Sequence, residues 1–238
     1  MHFRPALAPT IATALMLPVL IGLGVWQVER LHWKEGLLTA LDRNMHAAPV
    51  ALADAPKTQS LETQYTRVTA RGRFDNAHEA YLFGSDIAGN AGYHIITPFM
   101  TDGGATWLVD RGYVPREMRD PSTRAQGQIV GETTVTGLLR WSEQPGLFTP
   151  AADIAHRVFY ARDANAIAKA NNIALAEPAI IDADATPNPG GWPRGGQTII
   201  DIPNNHLSYA FTWFGLAVVL MGVYLAYHVG QGRLGFRR

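Results

Sequence analysis

Four residues in the last stretch of the chain, His206, Tyr209, Ala210 and Trp213, stand at i, i+3, i+4 and i+7 and so share one helix face. An imidazole with aromatic rings below it can offer an axial nitrogen and a flat wall to a haem. The plainer alternative makes Asn204, Asn205 and His206 a helix cap, with Tyr209 and Trp213 in an interfacial belt or in packing. Pattern alone favours the plainer alternative, because polar helix starts and aromatic belts are routine. A second constellation, Trp26, Arg30 and Trp33 with Lys34 at its edge, also falls on one helical face. It reads either as a belt with snorkelling cations or as a basic-aromatic face for an amphiphile bearing carboxylates. Here too the belt is favoured.

Other chemistry finds no support. There is no Gly-x-Ser-x-Gly elbow, Walker loop or His-Glu-x-x-His helix. The glycine-rich run at 190–196 precedes no helix that could hold a phosphate. Asp110, Asp182 and Asp184 are scattered and read as solvated or turn residues. Asp110 and Arg111, adjacent in a strand, project to opposite faces. His46, His78, His94 and His156 sit in separate segments without metal-site spacing, each expected at the surface or hydrogen-bonded. His206 and His228 lie about 33 Å apart at helical rise and cannot share a ligand. The chain has no cysteine, which excludes thiolate chemistry and disulfides, and its formal net charge of zero gives no basic field for nucleic acid. We expect no enzyme, and no nucleic-acid partner.

The elements that must position these residues are two apolar spans. From Pro5 to Val28 about 24 residues carry no charge, and from Leu207 to Tyr227 there is again none, each long enough to cross a bilayer. A signal peptide cleaved after Ala12-Thr13-Ala14 is the rival for the first, but that site would fall inside the apolar run. His2 and Arg4 before the first span, with Arg233, Arg237 and Arg238 after the second, place both tails in the cytoplasm. The expected organisation is a tail over 1–8, a span over 9–28, an extracytoplasmic domain over 29–205, a span over 206–228 and a tail over 229–238.

In the middle domain, Tyr65 to Phe74 alternates as a half-buried strand, with Glu79 to Phe83 expected to pair with it across 75–78. Gly92 to Val114 reads as a hairpin about Asp102-Gly103-Gly104, and Pro98 implies an edge strand or a bulge. Further strands are expected over Thr133 to Trp141, Arg157 to Ala161, Glu177 to Asp182 and Thr198 to Ile202. Asp163 is expected to cap a helix over Ala164 to Asn171. The fold class is a membrane protein: two transmembrane helices flanking a mainly antiparallel β (α+β) domain of barrel or sandwich type.

Three blocks resemble the surfeit-locus family of cytochrome c oxidase assembly factors. They are Leu23 to Lys34 (LGVWQVERLHWK), Gly92 to Phe99 with Val109 to Pro115, and Pro203 to Phe214 (PNNHLSYAFTWF). Asp110 stands where many members carry asparagine. The resemblance implies a haem chaperone that binds haem A transiently and aids its insertion into terminal oxidase subunit I, with haem A synthase a further candidate partner. It implies that His206 is the iron ligand, with Trp213, Tyr209 and Arg30 around the cofactor. It also implies a multi-pass protein of the bacterial inner membrane whose main domain is periplasmic. The alternative is a scaffold that stabilises subunit I without binding haem.

Overall fold

The computed structural model describes residues 2–199 and 203–235. In chain order its elements are β1 (His2–Phe3), α1 (Leu7–His46), β2 (Val50–Ala51), β3 (Thr66–Phe74), β4 (Ala80–Ser85), β5 (Ala91–Thr101) and β6 (Thr106–Pro115). There follow β7 (Glu132–Trp141), β8 (Val158–Phe159), α2 (Ala164–Ala170), β9 (Ala179–Ala183), α3 (His206–Gly230) and β10 (Leu234–Gly235). They divide into two units, Met1–Leu38 with Asp201–Arg238, and Thr39–Ile200.

The first unit is an antiparallel helix pair. Helix α1 runs 40 residues through Pro18, and α3 runs 25; at 1.5 Å per residue each exceeds the ~30 Å hydrocarbon core of a bilayer. The burial pattern is inverted relative to a soluble bundle. Thr13, Leu20, Gly24 and Gln27 of α1 and Ala210, Ala217 and His228 of α3 are buried. Leu15, Val19, Val218 and Val223 are exposed. Small and polar side chains on the seam with branched apolar ones outside are what lipid-facing helices show, because lipid gives apolar residues no reason to turn inward. At Gly24 an added Cβ would come within 2.6 Å of the Phe214 ring, so glycine is what lets the helices approach there. Near the other end Thr10 Oγ1 and Tyr224 Oη lie 2.9 Å apart, and the Ala6 amide donates to His228 Nε2. The two-residue strands β1 and β10 pair beyond that point.

The second unit is a closed barrel. Sheet order runs β3-β7-β9-β6-β5, and β3 pairs again with β5 through Gly72–Thr101, Arg73–Met100 and Phe74–Phe99, which closes the ring. A Cβ at Gly72 would lie 2.2 Å from the Met100 carbonyl oxygen, so the closure depends on glycine at this position. Strand alternation then sorts two cores. Val68, Phe99, Val109, Val135, Leu139 and Ile181 belong to one, with Trp107 and Trp141, while Leu82, Ile96, Leu108 and Ile180 pack in the other against Ile167 of α2.

Several expectations hold locally. The hairpin turn forms, with Gly104 at φ +78° donating to Thr101 O. Asp163 Oδ1 accepts from the Ala166 amide at the start of α2. Two expectations about strand pairing fail. β4 does not pair with β3; it pairs with β5 over Ala80–Ile96 to Ser85–Ala91, and the turn at Asn76–His78 carries the chain away from β3. Nor is β5 an edge strand. It has β6 on one side and, on the other, β4 and then β3, and Pro98 sits at the changeover, where its missing N–H is not required. The irregularity in β5 lies at His94/Ile96 instead. Of the strand expected over Thr198 to Ile202, residues 198–199 are not in a strand and the rest lie outside the described residues.

Candidate functional site

Helix α3 starts at His206, with Asn205 as N-cap residue, but the Asn205 side chain makes no capping hydrogen bond. Asn204 Oδ1 is buried and without a partner among the described residues, and so is Trp213 Nε1. A cap that leaves its polar atoms unused is a weak account of three consecutive polar residues. Buried orphan groups of this kind call for a partner, since leaving one unpaired costs about 1–3 kcal/mol.

His206 is half-buried, and its Nδ1 lies 2.7 Å from Oε1 of Gln27, a buried residue of α1. The amide oxygen only accepts, so Nδ1 carries the proton and donates. In the neutral form the imidazole then has its lone pair at Nε2, which has no hydrogen-bond partner among the described residues. This is the arrangement that orients a metal-binding histidine: one ring nitrogen anchored by an acceptor, the other free for the ion. The remaining stripe members separate. Trp213, seven residues on, returns to nearly the same azimuth as His206. Ala210 faces the seam and is buried, whereas Tyr209 is about half exposed. Arg30 stacks over Trp33 with its guanidinium carbon 3.9 Å from the ring centroid, and Lys34 Nζ donates to the Pro203 carbonyl at 2.7 Å. The structure therefore joins His206 to Gln27 and Lys34 to the segment before α3, and pairs Arg30 with Trp33.

The second polar centre, in the barrel, departs from the sequence expectation. Asp110 and Asp182 are register partners on the parallel strands β6 and β9, and both are buried rather than solvated. Arg162 bridges them, Nη2 to Asp110 Oδ2 at 2.8 Å and Nη1 to Asp182 Oδ1 at 2.7 Å. Asp110 also accepts from the Gly112 amide and from His94 Nδ1 at 3.0 Å, while His94 Nε2 reaches Ser85 O at 3.1 Å. Asp182 accepts from Thr198 and lies 3.5 Å from Arg140. Burial alone would raise Asp110, but His94 and Arg162 hold it well below the usual carboxylate range. For Asp182 burial, with Asp110 next to it, prevails over Arg162 and pushes the carboxyl up. Burial disfavours the charged form of His94, yet Asp110 raises its pKa overall.

Both acceptors of His94 are oxygens, so both ring nitrogens donate and no lone pair is left for a proton or a metal. The adjoining cavity measures about 10 Å³, room for roughly one water. With each member occupied by another, this centre ties β5, β6, β9 and the start of α2 together and offers no general base. The signal was available in strand parity, since Asp110 and Asp182 follow Leu108 and Ile180 at i+2.

On the other face of β6, Arg111 is buried against Phe74 and donates to Gly127 O. Glu79 receives both terminal nitrogens of Arg124, at 3.0 and 2.6 Å. Desolvation lowers Arg111 to about 10. Residues 110 and 111 thus do face opposite ways, as expected. His46 and His156 are exposed and His78 is half-buried, each beside a nearby aspartate.

Comparison with known proteins bears on this geometry. The model of the SURF1 family matches residues 14–218. Surfeit locus protein 1 of Homo sapiens is 38% identical over 221 residues, covering 85% of this chain and 72% of that protein. The protein of the same name from Takifugu rubripes is 36% identical over 222 residues, covering 86% and 90%, and that from Mus musculus 38% over 211 residues, covering 82% and 67%. The match spans α1 from residue 14 onward, the barrel and the first half of α3, and so includes Gln27 and His206.

Proposed function

The chain belongs to the SURF1 family, the surfeit-locus family of cytochrome c oxidase assembly factors, and from that premise we propose that it matures a haem-copper terminal oxidase by holding haem A at His206 and aiding its insertion into subunit I. The observation that carries this reading is the Nε2 of His206, unpartnered among the described residues, with Nδ1 held by Gln27. The residues present fit the group. A haem supplies an iron that takes an axial nitrogen and a macrocycle edge bearing carboxylates. His206 would give the nitrogen, Gln27 would hold the tautomer and ring direction, and Tyr209 would provide exposed aromatic surface. Trp213 brings an indole N–H that is buried and unpaired among the described residues. Arg30 carries the cation for the carboxylates; it stacks on the Trp33 ring and has no ion pair among the described residues.

A chaperone must release its cargo, and a single neutral imidazole is a modest anchor suited to that task. In this reading residues 9–28 and 206–228 cross the bacterial inner membrane, 1–8 and 229–238 are cytoplasmic, and 29–205 faces the periplasm. Subunit I and haem A synthase are the proposed partners.

The test is to purify the protein from cells making haem A and to compare it with His206→Ala. We expect bound haem to fall at least ~10-fold, as removal of a ligand does, with oxidase co-purification retained. Equal haem content and an unchanged spectrum would overturn the ligand assignment. Oxidase co-purification without haem in either protein would instead favour the scaffold reading.

A further inference from the structure

The loop between β7 and β8 presents an unusual tip. Leu147 and Phe148 are 92% and 93% exposed, side by side at the centre of a turn. Single exposed apolar residues are common, but two adjacent large ones held out by an ordered turn are not. The turn is built to hold them there. Thr149 N donates to Gly146 O at 3.0 Å, and Gly146 N donates back to Thr149 Oγ1 at 2.9 Å. Pro145 and Pro150 flank it and have no N–H. Among residues 145–150, then, the amides left for solvent are those of Leu147 and Phe148.

The charge pattern agrees. Residues 144–152 carry no charge. The carboxylates at either end are engaged, Glu143 by Arg140 at 2.6 Å and Asp153 by His156 at 2.7 Å. The polar side chains nearest the tip, Gln144 and Thr149, are both uncharged, and Thr149 is turned back onto the Gly146 amide. An interfacial lipid layer asks for what is present, namely apolar side chains, few unpaired amides and no nearby free carboxylate. Both ends of the barrel unit run into candidate spans, so the chain tethers it to the lipid phase twice.

We propose that the Gly146–Thr149 turn is a membrane-dipping tip, with Leu147 and Phe148 seated in the interfacial layer of the bilayer that α1 and α3 cross. The inference rests on α1 and α3 being membrane spans, and not on haem binding. No cation lies in the stretch, so seating requires no anionic lipid.

Because the chain has no cysteine, the variants Phe148→Cys, Val130→Cys and Val218→Cys each carry one environment-sensitive fluorophore. Val130 is 91% exposed in another barrel loop and Val218 is 72% exposed on α3, so none of the three disturbs a core. Each labelled full-length protein is placed one copy per phosphatidylcholine nanodisc containing doxyl lipid. We expect quenching at 148 and 218, with 148 at least ~3-fold above 130. Quenching at 218 but not at 148 overturns the tip and leaves the spans standing. Equal quenching at 130 and 148, or shielding of 148 from iodide without doxyl quenching, also overturns it, the latter by showing contact with protein. No quenching at 218 removes the spans and the tip together.

Discussion

His94 and His206 both project from regular elements into junctions with other elements, and both engage Nδ1 with an oxygen. There the likeness stops. His94 is 7% exposed, and its second nitrogen reaches the Ser85 carbonyl. The second nitrogen of His206 has no partner among the described residues. His228, at the far end of the same helix, matches His94 in being saturated: Nε2 accepts from Ala6 N, and Nδ1 donates to Tyr224 O. Burial and saturated hydrogen bonding are thus shared by His94 and His228, and neither is what singles out His206. What sets His206 apart is a ring nitrogen without a partner among the described residues, with polar atoms at Asn204 and Trp213 in the same stretch that are likewise unpartnered there. One centre uses its polar groups to hold the fold, and the other leaves them available.

This contrast can be broken from either side. The largest expected effect is on the barrel centre. Arg162→Ala leaves Asp110 and Asp182 buried without their bridge, and loss of one partner of a buried ion pair costs about 3–5 kcal/mol. Thermal unfolding in detergent should fall by roughly 10 °C, with His206→Ala within ~1 kcal/mol of the parent. A melting temperature that survives Arg162→Ala would show that the barrel centre does not hold the fold.

Next in size, Gln27→Leu removes the acceptor for His206 Nδ1 without touching Nε2, the proposed ligand nitrogen. Outer-shell partners of this kind are worth about 10–100-fold in affinity, so haem retention through gel filtration should drop by about 10-fold while melting is little changed. Full retention would mean that Gln27 does not orient the ring.

The smallest effect concerns pH. The pKa of His94 is raised in the fold above its ordinary value of 6.5. Its stabilisation is then fully present below about pH 6.5 and is lost as pH rises through the folded value, at a slope of up to about 1.4 kcal/mol for each pH unit between the two. Asp110, held low, works in the opposite window, contributing above about pH 3.8 and failing only as pH drops toward its folded value. Denaturant titrations across neutral pH should therefore show declining stability in the parent and a flatter profile in His94→Gln. Parallel profiles would show that His94 is not the titrating group.

Much of the fold is visible in local pattern. The uncharged runs in α1 and α3, the Asp102-Gly103-Gly104 turn and the Asp163 cap each depend on neighbours within a few residues. The failures concern partners. That β4 joins β5 rather than β3 depends on which strand edge is vacant, and an alternating sequence reads the same against either. Asp110 and Asp182, 72 positions apart in the chain, look like isolated carboxylates until β6 and β9 lie side by side.

The candidate site divides in the same way. The chain's own order of residues determined that an imidazole would stand at the start of an apolar helix with Trp213 two turns below it, because helical spacing is local and an uncharged run of that length favours a span. Only the tertiary structure decided what that imidazole can do. Gln27 meets His206 from 179 positions away, and whether a ring nitrogen is bound or free depends on which distant oxygen packs against it. Hydrogen-bond saturation is a property of the folded neighbourhood, and it is what separates His206 from His94 and His228.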